Sequence, residues 1–246
     1  MEGGRVVLKG SRGEAHDDTV AALSGCGDLV VSVGWDGVCK VWKRGESGAV
    51  GEFYDATSPI VCVAIKKSGR AGEVFIVAGC EDGKVLAWLY NAETAATSVV
   101  STSCFQGVGG GVSAVAFLDS TGASNDFVVG TTGGAIVVSA VEDWFRCVVI
   151  GRGKVGGSVR CVVTDGVNVV VGGGDGGVRV VRIEEGGKAG EYSVVQVPRE
   201  EDGSEAFAGG NGVFCLGVVE RRKGLVVVAV GGGDGLLGVV EIAACT

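Results

Sequence analysis

"VVSVGWDGVCKVW" spans Val30 to Trp42. Two apolar runs flank Asp36-Gly37, and a tryptophan closes the second. Apolar residues at alternate positions suit a strand with one buried face. Asp-Gly is the favoured chemistry for a two-residue hairpin turn, because both residues tolerate positive φ. The stretch reads as a β-hairpin. Whether it occurs once or throughout decides the architecture.

It occurs five times. "GWDGVCKVW" at Gly34 is followed by "GCEDGKVLAW" at Gly79, "TTGGAIVVS" at Thr131, "GGGDGGVRVV" at Gly172 and "GGGDGLLGVV" at Gly231. The turn glycines 37, 83, 134, 176 and 235 lie 46, 51, 42 and 59 residues apart. That period marks a repeat architecture. Two and four residues after each turn glycine the side chain is apolar: Cys39 and Val41, Val85 and Ala87, Ile136 and Val138, Val178 and Val180, Leu237 and Val239.

A strand precedes each hairpin: "TVAAL" at Thr19, "IVCVAI" at Ile60, "VSAVAF" at Val112, "VRCVV" at Val159 and "VFCLGVV" at Val213. Two residues after the first β-branched apolar residue each carries a small side chain: Ala22, Cys62, Ala114, Cys161 and Cys215. That position is expected where the first strands crowd near an axis. A fourth strand follows four of the hairpins: "AVGEFYD" at Ala49, "TSVVST" at Thr97, "FRCVVIG" at Phe145 and "YSVVQV" at Tyr192. The fifth copy has none, and "RVVLKG", Arg5 to Gly10, is a spare strand. Five four-stranded units, the last completed by that strand, predict a closed ring without exposed edges. Residues 1–246 read as one all-β domain.

Composition agrees. Glycine supplies 47 of 246 residues, 46% are hydrophobic and only two are proline. Average proteins hold roughly 7% glycine; glycine crowded with valine points to short strands and tight turns. The net charge of −8 argues against nucleic acid or an anionic membrane as a direct partner. No run approaches the length of a membrane-spanning helix, and the start is too polar for a secretory signal. Nine cysteines without a C-x-x-C pair predict a reducing compartment, cytoplasmic or nuclear, and Cys62, Cys161 and Cys215 read as small buried hydrophobes.

The pattern resembles the WD-repeat β-propeller family over nearly the whole chain. Repeat one carries the fullest signature: His16, Ser32, Asp36 and Trp42. The resemblance implies that these four form a buried hydrogen-bonded network that locks the strands together. Repeat two keeps Asp82 and Trp88 without a histidine, and Ser139, Val181 and Val240 replace the tryptophan in repeats three to five. "GGAIVVSA" is similar to the coat and nuclear-pore scaffold propellers, and Gly-Trp-Asp to those serving mRNA export and the mitotic checkpoint. A partner that supplies a blade in trans is compatible with the short repeat count.

Catalytic, cofactor and metal readings find little footing. "GGGDGG" and "GDGLLG" satisfy G-x-G-x-x-G, but strands follow them where a dinucleotide site needs a helix. His16, Ser32 and Asp36 are the residue types of a hydrolytic triad, yet the resemblance assigns them to structure. Clustered His or paired Cys for a metal are missing. The expectation is a non-enzymatic scaffold for one or more proteins, with no cofactor and no metal.

Two surfaces are candidates. Trp35 stands beside a turn as a potential hot spot. Lys43, Arg44, Lys66, Lys67, Arg70, Arg221, Arg222 and Lys223 fall on the opposite face, in repeats one, two and five, which neighbour each other in a closed five-unit ring. That arc predicts docking of an acidic partner segment, or, as an alternative, of a phosphate- or phospholipid-bearing ligand. A propeller enzyme is the remaining alternative, disfavoured by the small apolar residues at the expected axis.

Overall fold

The computed structural model describes residues 15–104, 109–118, 124–141, 148–151, 157–164, 168–183, 189–193, 212–222, 225–233 and 237–243. Its strands form five antiparallel sheets, each a meander in chain order. The first holds β1 (Val20–Cys26), β2 (Leu29–Gly34), β3 (Cys39–Lys43) and β4 (Ala49–Phe53). The second holds β5 (Ile60–Lys67), β6 (Glu73–Cys80), β7 (Lys84–Asn91) and β8 (Thr97–Cys104). In the third are β9 (Val112–Phe117), β10 (Asp126–Thr131), β11 (Ile136–Ala140) and β12 (Val148–Gly151). The fourth comprises β13 (Val159–Thr164), β14 (Asn168–Gly173), β15 (Val178–Ile183) and β16 (Ala189–Ser193). Three strands make the fifth: β17 (Val213–Arg222), β18 (Leu225–Gly232) and β19 (Leu237–Ala243). The Arg5–Gly10 stretch lies outside the described residues, and β16 begins three residues before its expected start.

The hairpin turns differ from the sequence expectation in one respect. Only the glycine takes a left-handed conformation, with φ of +75° at Gly37, +87° at Gly83, +79° at Gly134 and +80° at Gly176. The aspartate before it stays at negative φ and caps the turn with its carboxylate. Asp36 accepts from Val38 N–H at 3.0 Å, Asp82 from Lys84 N–H at 3.0 Å and Asp175 from Gly177 N–H at 3.1 Å. The glycine amide closes the turn onto the carbonyl three residues back, as Gly37 does to Gly34 at 3.1 Å. This is a type I turn followed by a left-handed glycine, not the primed two-residue turn. In the third sheet, where Gly133 stands for aspartate, Thr131 Oγ1 takes over and accepts from Ala135 N–H at 3.0 Å.

Consecutive sheets pack face to face, with β1 against β5, β5 against β9, β9 against β13 and β13 against β17. Four apolar cores fill the four junctions. No packing of that kind joins β17 to β1 among the described residues.

Three junctions share one device, and it explains the recurring small residue. Cys62, Ala114 and Cys161 pair across the sheet with Gly79, Gly130 and Gly172. Each small–glycine pair leaves a notch that receives the first valine of the next sheet. A Cβ on Gly79 would lie 2.2 Å from Val112 Cγ1, one on Gly130 2.3 Å from Val159 Cγ1, and one on Gly172 2.6 Å from Val213 Cγ1. The small position is therefore half of an intersheet notch, at the places where the first strands of successive sheets crowd together. Burial pushes the Cys62 and Cys161 thiols up to about 12, as befits space-filling groups.

Gly79→Val overfills the notch and is expected to destabilise the fold by about 1–3 kcal/mol in urea unfolding. Adding Val112→Ala should return part of that loss; if the double variant is no more stable than the single one, the valine–glycine contact is not what the first change disrupts.

Candidate functional site

The first sheet brings the four signature residues of repeat one together. The chain segment before β1 lays His16 over the β2–β3 turn. There His16 Nδ1 meets Asp36 Oδ2 at 2.8 Å and Oδ1 at 3.0 Å. On the other side of the ring Nε2 lies 2.8 Å from Ser32 Oγ, and Trp42 Nε1 donates to that oxygen at 2.8 Å. An ionised carboxylate only accepts, so with the ring neutral the proton resides on Nδ1. Ser32 then receives the indole N–H and donates its own proton to Nε2. Gly34 makes room for this chain: a Cβ there would fall 2.8 Å from both His16 Nδ1 and Asp36 Oδ1.

Asp36 is the electrostatic anchor. Burial alone would raise its pKa, but hydrogen bonds from Val38 N–H, His16 and Asp17 N–H outweigh that and hold it below its ordinary value. Chemically the array has the geometry of a triad without the access. Ser32 is only 3% exposed, and its oxygen is enclosed between the indole and the imidazole. A nucleophile needs a substrate carbonyl beside it, and this oxygen has no such approach. The array joins the entering segment, β2, β3 and the turn.

The second sheet solves the same problem with a residue that sequence reasoning missed. Ala78 occupies the place of Ser32, and Trp88 Nε1 reaches Asp55 Oδ2 directly at 2.7 Å. Asp55 lies in the connection before β5, one residue earlier than the place equivalent to that of His16 before β1, which is held by Ala56. In the third sheet Ser139, at the tryptophan position, is buried and its hydroxyl has no hydrogen-bond partner.

The two candidate surfaces fare differently. Trp35 anchors its backbone through an N–H bond to Thr19 O at 2.9 Å, while its side chain leaves the residue 55% exposed. At the same end of the sheet, directly after β4, Tyr54 is also exposed and its hydroxyl donates to Glu52. Asp17 and Asp18 stand exposed at that end too.

One member of the basic arc departs from the expectation. Lys66 is 3% exposed: its ammonium donates to Ser124 O and lies 5.4 Å from the centre of the Phe117 ring. Strand β5 runs on to Lys67, which places Lys66 in the buried phase and removes it from the surface. Lys67 and Arg70 are exposed, with Arg70 3.9 Å from Glu73. Lys43 and Arg44 line a pocket of about 220 Å³ with Val30 and Trp42. Arg221 and Arg222 end β17, and Lys223 lies outside the described residues.

The WD40 β-propeller domain of Doa1 superposes with a TM-score of 0.64 at 19% identity, over 92% of this chain and 64% of that one. The fold is of the WD40 β-propeller type. The chain thus spans about 64% of the length of that domain. The computationally designed Ika4 protein superposes with a TM-score of 0.53 at 23% identity, over 74% of this chain and 99% of that one. No family model and no curated protein matches the sequence.

His16→Ala leaves Ser32 and Asp36 without their shared partner and is expected to cost about 1–3 kcal/mol in thermal or chemical unfolding. The pH dependence has a definite sign. Asp36 binds its proton less readily in the folded chain than in the unfolded one. Its contribution is therefore present above the ordinary carboxylate range and is lost as pH falls through it, from about pH 4 downward. The melting temperature of Asp36→Asn should fall less steeply on acidification than that of the parent; parallel slopes would discount this carboxylate.

Proposed function

We propose that this chain is a non-catalytic scaffold that binds a protein partner through the end of the first sheet carrying Trp35. The observation that carries the proposal is the exposed Trp35 indole, held on a hydrogen-bonded turn with exposed Tyr54 at the same end. Aromatic side chains on a rigid frame offer large contact area at small cost in conformational freedom. The frame here is rigid for a stated reason: the Asp36 cap and the His16 array fix the turn from which Trp35 projects. Asp17, Asp18 and Glu81, exposed at the same end of their sheets, favour a partner segment that carries positive charge. The enclosure of Ser32 supports the non-catalytic reading.

The WD40-type fold is in keeping with a protein-interaction role. Membership of a larger assembly, and a cytoplasmic or nuclear setting, belong to the same proposal. With Lys66 buried, the arc of Lys43, Arg44, Lys67, Arg70, Arg221, Arg222 and Lys223 loses a central member, and the aromatic end is the better supported docking surface.

Partners captured by the tagged chain under reducing conditions and identified by mass spectrometry test the proposal. Trp35→Ala combined with Tyr54→Ser should release the dominant partner at least tenfold, an effect of about 1.4 kcal/mol or more, without lowering the melting temperature. Lys67→Glu with Arg70→Glu should leave capture unchanged. If the charge reversals release the partner and the aromatic variant does not, the docking surface has been placed on the wrong end.

A further inference from the structure

Three of the four junctions between neighbouring sheets share the notch, and the two halves of that junction recur, unmated among the described residues, at the two ends of the stack. Consider first the half that faces the following sheet. Cys39 and Val41, Val85 and Ala87, Ile136 and Val138, and Val178 and Val180 are all buried against a neighbour. Their equivalents on β19, Leu237 and Val239, are 78% and 60% exposed. The notch is also present: Gly231 pairs with Cys215, as Gly172 pairs with Cys161. A Cβ on Gly231 would meet Cys215 Sγ of its own sheet at 2.5 Å and, among the described residues, no other atom within contact range. Gly79, Gly130 and Gly172 each face an incoming valine at the same place.

The complementary half lies on the first sheet. Ile60, Val112, Val159 and Val213 are buried as the entering residues of their sheets, and Val63 and Val115 follow them into the junction. Val20 and Leu23 hold the same places on β1 and are 45% and 59% exposed. Beyond them on that face Val30 and Trp42 open onto the 220 Å³ pocket rimmed by Lys43 and Arg44. On the opposing face β19 carries exposed Glu241, one alternation beyond Val239, a charge opposite to that of the rim.

We infer that the chain associates head to tail with a second copy of itself, the first sheet of one copy covering the fifth sheet of the next. Val20 then seats in the Gly231–Cys215 notch, Leu23 packs toward Leu237 and Val239, and Glu241 approaches Lys43 and Arg44. The occupant follows from continuity with the interfaces inside the chain. Three internal junctions show that a β-branched residue at this place in one sheet fits a glycine notch in the one before it. A second copy carries that residue in the same setting. Such a contact is heterologous, so it closes into a ring where the rotation allows and grows into a chain of copies where it does not.

The test is sedimentation velocity of the full chain over a wide range of concentration. The parent is expected to shift from the mass of one 24.6 kDa chain toward its multiples as concentration rises. Leu237→Arg with Val239→Lys blocks the notch side, and Val20→Asp with Leu23→Asp blocks the entering side. All four residues are already exposed, and circular dichroism checks that the fold is kept. Gly231→Val alone repeats the notch-side block from a separate position, and Leu23→Asp alone repeats the entry-side block with a single substitution. Every blocked chain should remain monomeric. An equal mixture of a notch-blocked and an entry-blocked chain keeps one good junction, and should form a one-to-one dimer and nothing larger. A parent chain that stays monomeric at every concentration overturns the inference: its ends then meet within one chain or are covered by a different protein. Blocked chains that still assemble, or a mixture that stays monomeric, overturn it equally.

Discussion

The fold depends on a valine entering a glycine notch. A sheet with one apolar face gains little alone; its burial comes from the next sheet, and the depth of that burial is limited by how closely two backbones approach. Removing the side chain at Gly79, Gly130 and Gly172 lets the first strand of the following sheet come within packing distance. The cores at the junctions then form from Val, Ile and Leu already placed by strand alternation. Among the described residues, many glycines serve this approach and the turns. Flexibility is not their purpose.

Hydrogen bonding plays a second, more local part. The Asp36, Asp82 and Asp175 carboxylates cap their turns within a few residues of chain. The longer array through His16, Ser32 and Trp42 belongs to the first sheet alone, and Asp55 serves the second. In the third sheet the tryptophan position holds an unpartnered Ser139 hydroxyl, and Val181 of the fourth is simply buried. Among the described residues the tryptophan-centred arrays thus lie in the first two sheets, while the third and fourth are linked by Ser113 Oγ, which donates to Val159 O at 2.6 Å, and the fourth turn holds the Asp175–Arg179 ion pair.

What could be read from the sequence was whatever chemistry is local. Turn glycines with apolar residues two and four places later are a pattern within a single hairpin, and they located most of the strands. His16, Ser32, Asp36 and Trp42 could be grouped because each stands at a fixed offset within one repeat. Other features needed the third dimension. Val112 against Gly79 joins separate sheets, so the small residue at Cys62 was legible as a recurrence and not as half of a notch. Lys66 looked exposed because it is charged, but its place in β5 carries the stem inward while the ammonium finds Ser124 O. Asp36 keeps negative φ because its carboxylate is more useful as a cap than its backbone is as a primed turn.

The meander order of every sheet has a consequence for how the molecule comes apart. Each sheet is drawn from one contiguous length of chain and touches mainly the sheets before and after it. Stability in such a stack behaves as a sum of unit and nearest-neighbour terms. Among the described residues the second sheet is clamped on both faces, whereas the first and fifth are clamped on one. Opening therefore begins at the two ends and moves inward, as zippers do, and the interior amides of β6 and β7 are the last to exchange with solvent.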